Sequence, residues 1–406
     1  MTARTPAILG GSPAFPDGLR LLRPTLPPLE ALEPGLRDAF ASGMVTKGPA
    51  LEEYERRLAE RLGVRHAVAL SSCTAGLMLV FDRFRGGEAI MPSFTFMATA
   101  TAAAWAGLTP VFCDIDPETW TLDPERVEEA LSEHTRLIVP VHVFGSPADQ
   151  EAFAAIGRRR GVAVVYDAAH GFGALHDGHP VGGAGLAQVF STSPTKLLIT
   201  GEGGVVATGD DDLAARLRTG REYGNAGDHD PAFAGFNARL PEAGALLGLA
   251  SLDLLEGEAR RRNDLAAVYR RALGGAPGIT FQRIRPSDRS SYKDFSVRVR
   301  AAEFGLHRDD VARALDAEGV ATRAYYVPPV HRMRAFAGLG RAYEQRLPQT
   351  AALCNEVLTL PLYGAMSEGQ VERVADCILS LHERAAEVGA ALRSPPAEGH
   401  GGRETR

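Results

Sequence analysis

Apolar positions recur along this chain in two rhythms, and the change from one to the other maps the fold. Over residues 50–62, Leu51, Tyr54, Leu58 and Leu62 share one face of a 3.6-residue period, which predicts an amphipathic helix. From His66 to about Gly204, short apolar runs at 66–70, 88–91, 137–143 and 162–166 alternate with longer alanine- and charge-rich stretches. Strands separated by helix-length segments form βαβ units, so this half of the chain predicts a mostly parallel, helix-covered sheet.

The pattern changes again beyond residue 244. The leucine- and arginine-rich stretch 244–273 predicts one long helix, followed by a strand at 294–299, a helix near 308–318 and an apolar-periodic helix at 368–384. That mixture suits a smaller α+β domain. The expected division is a large domain over 1–255 that includes the N-terminal segment, a small domain over 256–388, and a disordered tail over 389–406, where little can be buried. No internal repeat is visible.

Composition narrows the class. A chain of 406 residues with 45% hydrophobic content can build a sizeable core, and nothing in it suggests a fibre or a disordered protein. A formal net charge of -6 argues against a nucleic-acid partner, and no apolar stretch reaches the length of a membrane span. Cys73, Cys113, Cys354 and Cys377 are scattered, with neither a CxxC pair nor zinc-ligand spacing. The first ten residues hold too short an apolar run for a signal peptide. The expectation is a soluble, cytoplasmic protein in a reducing compartment.

Two residues carry the chemistry. Asp167 follows the apolar run 162–166, and Lys196 closes the stretch Ser-Thr-Ser-Pro-Thr-Lys at 191–196, ahead of Gly-Glu-Gly-Gly at 201–204. A lysine paired with a strand-terminal aspartate is what pyridoxal 5'-phosphate requires. The amine forms a Schiff base with the cofactor aldehyde, and the carboxylate keeps the pyridine nitrogen protonated so that the ring accepts carbanion electrons. A solvated surface lysine is the competing reading, against which stand the apolar residues 197–199 and the glycine-rich turn. The run 66–70 leads through Ser-Ser-Cys-Thr at 71–74 into a helix, where small hydroxyl residues and free N–H groups suit a phosphate dianion. Serine and threonine are equally ordinary N-caps, so by itself this segment leaves both readings open. His176 and His179 lie in what reads as an exposed turn without an accompanying carboxylate helix, and no metal site is expected.

Taken in order, these segments resemble the DegT/DnrJ/EryC1/StrS sugar aminotransferase family, within the fold-type I aminotransferases. The likeness runs from about Gly43 to about Tyr363. It is carried by Pro-Ser-Phe-Thr-Phe-Met-Ala-Thr at 92–99, Pro-Val-Phe-Cys-Asp-Ile-Asp at 110–116, Pro-Val-His-Val-Phe-Gly-Ser-Pro-Ala-Asp at 140–149 and Asp-Ala-Ala-His at 167–170. Residues 191–204, Gly-Phe-Asn-Ala-Arg-Leu-Pro-Glu-Ala at 235–243 and Thr-Arg-Ala-Tyr-Tyr-Val-Pro-Pro-Val-His at 322–331 continue it.

The resemblance implies an α/β fold-type I architecture and a role for each matching residue. Lys196 is the Schiff-base lysine and the proton carrier, and Asp167 faces the pyridine nitrogen. His170 sits beside the phenolic oxygen, Phe96 stacks on the ring, and Cys73, Thr74 and Ser191 hold the phosphate. Asn237 reaches that phosphate from a neighbouring subunit, which implies a homodimer with shared active sites. Thr46, Lys47, Arg239, Tyr326 and His331 match positions near the sugar or the donor carboxylate; each also reads as a structural loop residue. Cys73 stands where the family commonly has glycine, and Thr192 where it commonly has an aromatic.

The activity implied is transfer of an amino group from L-glutamate to a keto group of a nucleotide-activated deoxysugar. The Ser-Cys-Thr-Ala motif looks more like the members acting at C4 than those acting at C3, whose motif is usually Asn-Gly-Thr-Asp. A glutamine-dependent cyclitol aminotransferase differs mainly in acceptor. A sugar dehydratase of the same family carries histidine at the lysine position, and a non-catalytic regulator has no chemical need for Asp167, Lys196 and the phosphate residues together.

Overall fold

The face read at residues 51, 54, 58 and 62 is the buried one. Helix α1 (Pro49–Leu62) packs Leu51, Tyr54, Leu58 and Leu62 inward, each leucine contributing about 1.5–3 kcal/mol by leaving water. Its N-cap, Gly48, has no side chain to satisfy the first N–H groups. The buried carboxylate of Glu242 does so instead, accepting from Gly48, Ala50 and Leu51 at 2.9–3.1 Å. A computed structural model describes residues 4–393.

Seven strands form the large sheet: β1 (His66–Leu70), β2 (Glu88–Pro92), β3 (Thr109–Cys113), β4 (Thr135–Ile138), β5 (Ala163–Asp167), β6 (Ala187–Ser191) and β7 (Gly204–Thr208). Their order is β1-β7-β6-β5-β4-β2-β3. The pairings from β6 to β3 are parallel, and β7 runs antiparallel to both β6 and β1. Helices α2 (Cys73–Phe81), α3 (Ala98–Trp105), α4 (Gln150–Arg160) and α5 (Asp211–Gly220) cover the sheet together with α1.

The run expected as a strand over 137–143 is shorter. β4 ends at Ile138, Pro140 offers no N–H to a ladder, and Phe144 turns the chain with φ 57°. What remains is a single parallel bridge from Val141 to Asp167.

Helix α6 (Glu242–Leu273) runs through both halves of the molecule. Leu252, Leu255 and Ala259 pack into the core under α1, whereas Leu265, Tyr269 and Leu273 pack into a second core. That second core belongs to an antiparallel sheet of β8 (Ile279–Phe281), β9 (Phe295–Val299) and β10 (Val357–Leu360), with α7 (Arg308–Ala317), α8 (Glu368–Glu383) and α9 (Ala385–Arg393). Phe15 and Leu19 also belong to it, and Leu19 bridges to Val320, so this part of the N-terminal segment packs with the small domain and not with the large one. Residues 389–393, expected in the disordered tail, form the end of α9, where Val388 and Leu392 are buried; 394–406 lie outside the described residues. No helix among the described residues is long and apolar enough to cross a membrane.

Candidate active site

Register gathers the polar ends of the large sheet. Gly204, the first residue of β7, pairs with Leu70 at the end of β1 and with Ser191 at the end of β6. Asp167 ends β5 and pairs with Val189 of β6. The segments leaving these strand ends therefore surround one cavity of about 340 Å³, a size suited to a small organic ligand. Cys73, Thr74, Phe96, Asp167, His170, Ser191, Lys196 and Tyr326 all line it, as do Ser72, Ser193, Glu202, Lys293, Asp294 and Tyr325.

At one end lies the start of α2. Ser72 caps the helix by accepting from the Ala75 N–H at 3.0 Å, and the N–H groups of Cys73 and Thr74 have no intrahelical acceptor. Cys73 opens the helix without a positive φ, so glycine is not needed there. The close approach falls on the neighbouring strand instead: a Cβ on Gly204 would lie 2.3 Å from the Cys73 nitrogen and 2.4 Å from the Ser72 carbonyl carbon. Burial, with the Asp167 charge adding, pushes the Cys73 thiol well above its ordinary pKa, so it stays neutral.

At the other end Asp167 is 4% exposed. One carboxylate oxygen accepts from the Thr99 hydroxyl at 2.7 Å, and the other from the Ala169 N–H at 3.1 Å. Burial raises its pKa, while those two bonds and Lys196 oppose the rise. Thr99 also meets Thr95 at 3.0 Å, forming a short buried hydroxyl chain that ends on the carboxylate.

Lys196 stands on a closed loop. Thr192 and Thr200 join hydroxyl to hydroxyl at 2.6 Å and backbone to backbone at 2.9 Å, so Thr192 ties the loop where an aromatic was the family expectation. Leu197, Leu198 and Ile199 are buried behind it. Burial lowers the Lys196 amine to about 8, with Lys293 adding and Asp294 opposing, so a substantial fraction is neutral near physiological pH. Burial, then Lys196 and Lys293, hold the His170 imidazole well below its usual range, hence neutral. Phe96 presents an aromatic ring that is 53% exposed, whereas Tyr326 is buried and stacked on Phe144 at 5.6 Å.

Five expected residues lie elsewhere. Thr46, Lys47, Asn237 and Arg239 do not line this chain's own cavity and form a separate, partly exposed patch. Lys47 and Arg239 both pair with Glu222, at 3.4 and 2.9 Å, Thr46 bridges to Pro241, and Asn237 bridges to Glu222. His331 is buried away from the cavity lining, with its Nδ1 at 2.7 Å from the Ser93 hydroxyl. Its position in the matched motif does not carry it to the cavity of the single chain, because the ring packs behind the 92–99 segment.

Thr99, Lys293 and Asp294 were not among the sequence candidates. Thr99 ends a quoted motif but reads as a helix residue. The Lys-Asp pair leaves no signal of its own, because it precedes β9, which itself carries Ser296 and Arg298. Apart from the cavity, Glu151, His176 and Asp177 bring potential ligand atoms within 4.8 Å, without His179; the Arg285 guanidinium lies directly against His176.

A family model for the DegT/DnrJ/EryC1/StrS aminotransferases matches residues 30–379. A pleiotropic regulatory protein of Geobacillus stearothermophilus is 37% identical over 355 residues, which are 86% of this chain and 94% of that one. The dTDP-3-amino-3,4,6-trideoxy-alpha-D-glucose transaminase of Streptomyces venezuelae is 36% identical over 350 residues, covering 84% and 90%. The solved structure of DesI in the presence of its TDP-sugar product matches with TM-score 0.89 and 38% identity, covering 96% of this chain and 99% of that one. With a cavity that joins a lysine, a strand-terminal aspartate and a helix N-terminus, this chain belongs to the DegT/DnrJ/EryC1/StrS aminotransferase family.

Proposed function

We propose that the chain is a pyridoxal-phosphate-dependent aminotransferase that carries nitrogen from L-glutamate to the keto group of a nucleotide-linked deoxysugar, at C4. The observation that carries the reading is the single cavity in which a buried, partly neutral lysine and a buried, doubly hydrogen-bonded aspartate stand together.

The residues present fit the cofactor. The free N–H groups of Cys73 and Thr74 with the Ser191 hydroxyl suit its phosphate, and Gly204, lacking a Cβ, lets the start of α2 lie close against β7. Phe96 offers an open ring face, Asp167 an acceptor for the ring nitrogen, neutral His170 a partner for the phenolic oxygen, and Lys196 the amine for the aldehyde. When bound, the cofactor supplies an electron sink for charge developing on the carbon that bears nitrogen.

The chain's own residues supply the rest. Lys196, with an amine near pKa 8, takes a proton from the donor carbon and later returns one to the acceptor carbon. Thr99 and the Ala169 N–H hold Asp167 in one orientation, and the depressed His170 imidazole adds no positive charge.

A second copy of the chain completes the site in this reading. Asn237, Lys47 and Arg239 lie on a patch beside exposed Met44, Val45 and Tyr223, which is the kind of surface a homodimer covers. Asn237 then serves the partner's phosphate site, while Thr46, Lys47 and Arg239 serve its sugar or carboxylate.

The test is product formation. Holoprotein, L-glutamate and a dTDP-4-keto-6-deoxyhexose are expected to give the 4-amino sugar nucleotide and 2-oxoglutarate. Amination of a 3-keto isomer alone would move the assignment to C3, the position in the name of the Streptomyces venezuelae relative. Amination only with glutamine would move it to the cyclitol-type donor. No amination of any ketosugar would refute it and turn attention to the regulatory relative.

A further inference from the structure

We propose that Lys293, braced by Asp294, anchors the α-carboxylate of the amino-acid donor; this rests on the aminotransferase reading above. Both residues are 6% exposed, and both line the cavity that holds Lys196. The Lys293 ammonium donates to Asp294 Oδ1 at 2.8 Å.

The segment that presents the pair is fixed from behind. Arg262 of α6, itself 3% exposed, donates to the carbonyls of Tyr292 and Lys293 at 3.2 and 3.3 Å. Asn263 donates to the Ser290 carbonyl at 2.8 Å, and the Lys293 N–H donates to the Phe144 carbonyl at 3.1 Å. Ser291 donates through its hydroxyl to the His170 carbonyl at 2.7 Å, joining this segment to the cavity wall. With its backbone tied at these points, the ammonium is held in place and does not sweep through solvent as a surface lysine does.

An ammonium has three N–H donors. Among the described residues Asp294 takes one, and the Tyr325 ring faces the nitrogen at 5.7 Å. Two donors are left for whatever enters the cavity. Besides Lys196, Lys293 is the only cationic side chain among the described residues that line it. An amino acid whose amine comes to the place of Lys196 must bring its α-carboxylate into the same desolvated space. An uncompensated carboxylate is costly there. Lys293 and Lys196 line the same cavity, and the Lys293 charge adds to the lowering of the Lys196 amine, so a carboxylate one carbon from the reacting nitrogen enters the space the two share. Asp294 neutralises the ammonium when no donor is bound and shares it when one is.

The test compares L-glutamate with its α-amide, D- and L-forms kept separate, by titrating the visible absorption of the pyridoxal phosphate holoprotein. Wild type is expected to bind the α-carboxylate form about tenfold to a hundredfold more tightly than the α-amide, the range for a hydrogen bond to a charged group. Lys293→Gln is expected to reduce that ratio to within about threefold, and Lys293→Arg to retain most of it. Equal affinities in wild type overturn the proposal whether or not the variants fold, as does a Lys293→Gln protein that keeps the wild-type ratio. A wild-type spectrum indifferent to glutamate refutes the aminotransferase reading itself, and this inference with it.

Discussion

Replacing Thr99 by valine keeps the shape of the side chain and removes one donor from Asp167. The bond is an O–H to a carboxylate oxygen at 2.7 Å, Thr99 is fully buried and Asp167 is 4% exposed, so water does not replace it. A hydrogen bond to a charged group is worth about 1.5–3 kcal/mol, against about 0.5–1.5 kcal/mol between neutral partners. Burial already holds the Asp167 pKa above its ordinary value, so the folded chain binds this proton more tightly than the unfolded chain does. The ionised carboxyl therefore costs stability as pH rises above the unfolded value of ~3.9. Valine lifts the folded pKa further. The full loss is present above the variant's folded pKa and shrinks to that of a neutral bond once pH falls below the wild type's. Calorimetric melting of the cofactor-free protein from about pH 5 to about pH 8 reads the difference in midpoint between the two proteins. The expected result is a gap that widens with pH. A gap of the same size at every pH would place the cost in packing and refute the argument.

Three further outcomes are expected. Gly204→Ala pushes a Cβ into the backbone of Ser72 and Cys73; a stability loss of about 1–3 kcal/mol in urea melts should accompany at least tenfold weaker binding of pyridoxal phosphate, and an unchanged affinity would dissociate Gly204 from the phosphate end. The rate at which cofactor-free protein captures pyridoxal phosphate should rise with pH and level off above about 8, as burial makes Lys196 neutral there; a rise continuing to the range of a solvated lysine would contradict the site's dryness. Light scattering should give twice 43.3 kDa, and mixing Lys196→Ala with Asn237→Ala protein should restore activity that each lacks, because one hybrid site then carries both native residues. Absence of complementation, with mixed dimers shown to form, would remove Asn237 from the shared site.

Local pattern was enough for much of this fold. The face of α1 and the extents of α6, α7 and α8 are visible in spacing alone, because each buries a stripe at helical period. Strands β3, β6 and β7 were harder to see as strands. β3 opens with Thr109 and Pro110, and β6 carries the buried Gln188. Long-range partnerships are absent from any local window. Glu242 caps a helix from 194 positions away, and Arg262 fixes the carbonyls of Tyr292 and Lys293. The cavity-lining candidates were legible because strand ends and glycine turns mark them. Lys293 and Asp294 were not, since their burial depends on α6 and on the turn at Phe144. His331 shows the converse: a histidine in a matching motif ends beside Ser93, behind the wall instead of in it.

The central claim is that Lys196 and Asp167 form a working amine-transfer centre. The most direct measurement is the visible spectrum of the purified holoprotein before and after L-glutamate, for wild type and for Lys196→Ala. The expected result is a visible band of lysine-attached pyridoxal phosphate that glutamate converts to the shorter-wavelength absorption of pyridoxamine phosphate, with neither the band nor the conversion in Lys196→Ala. A band that survives loss of Lys196, or a wild-type band that glutamate leaves unchanged, would contradict it.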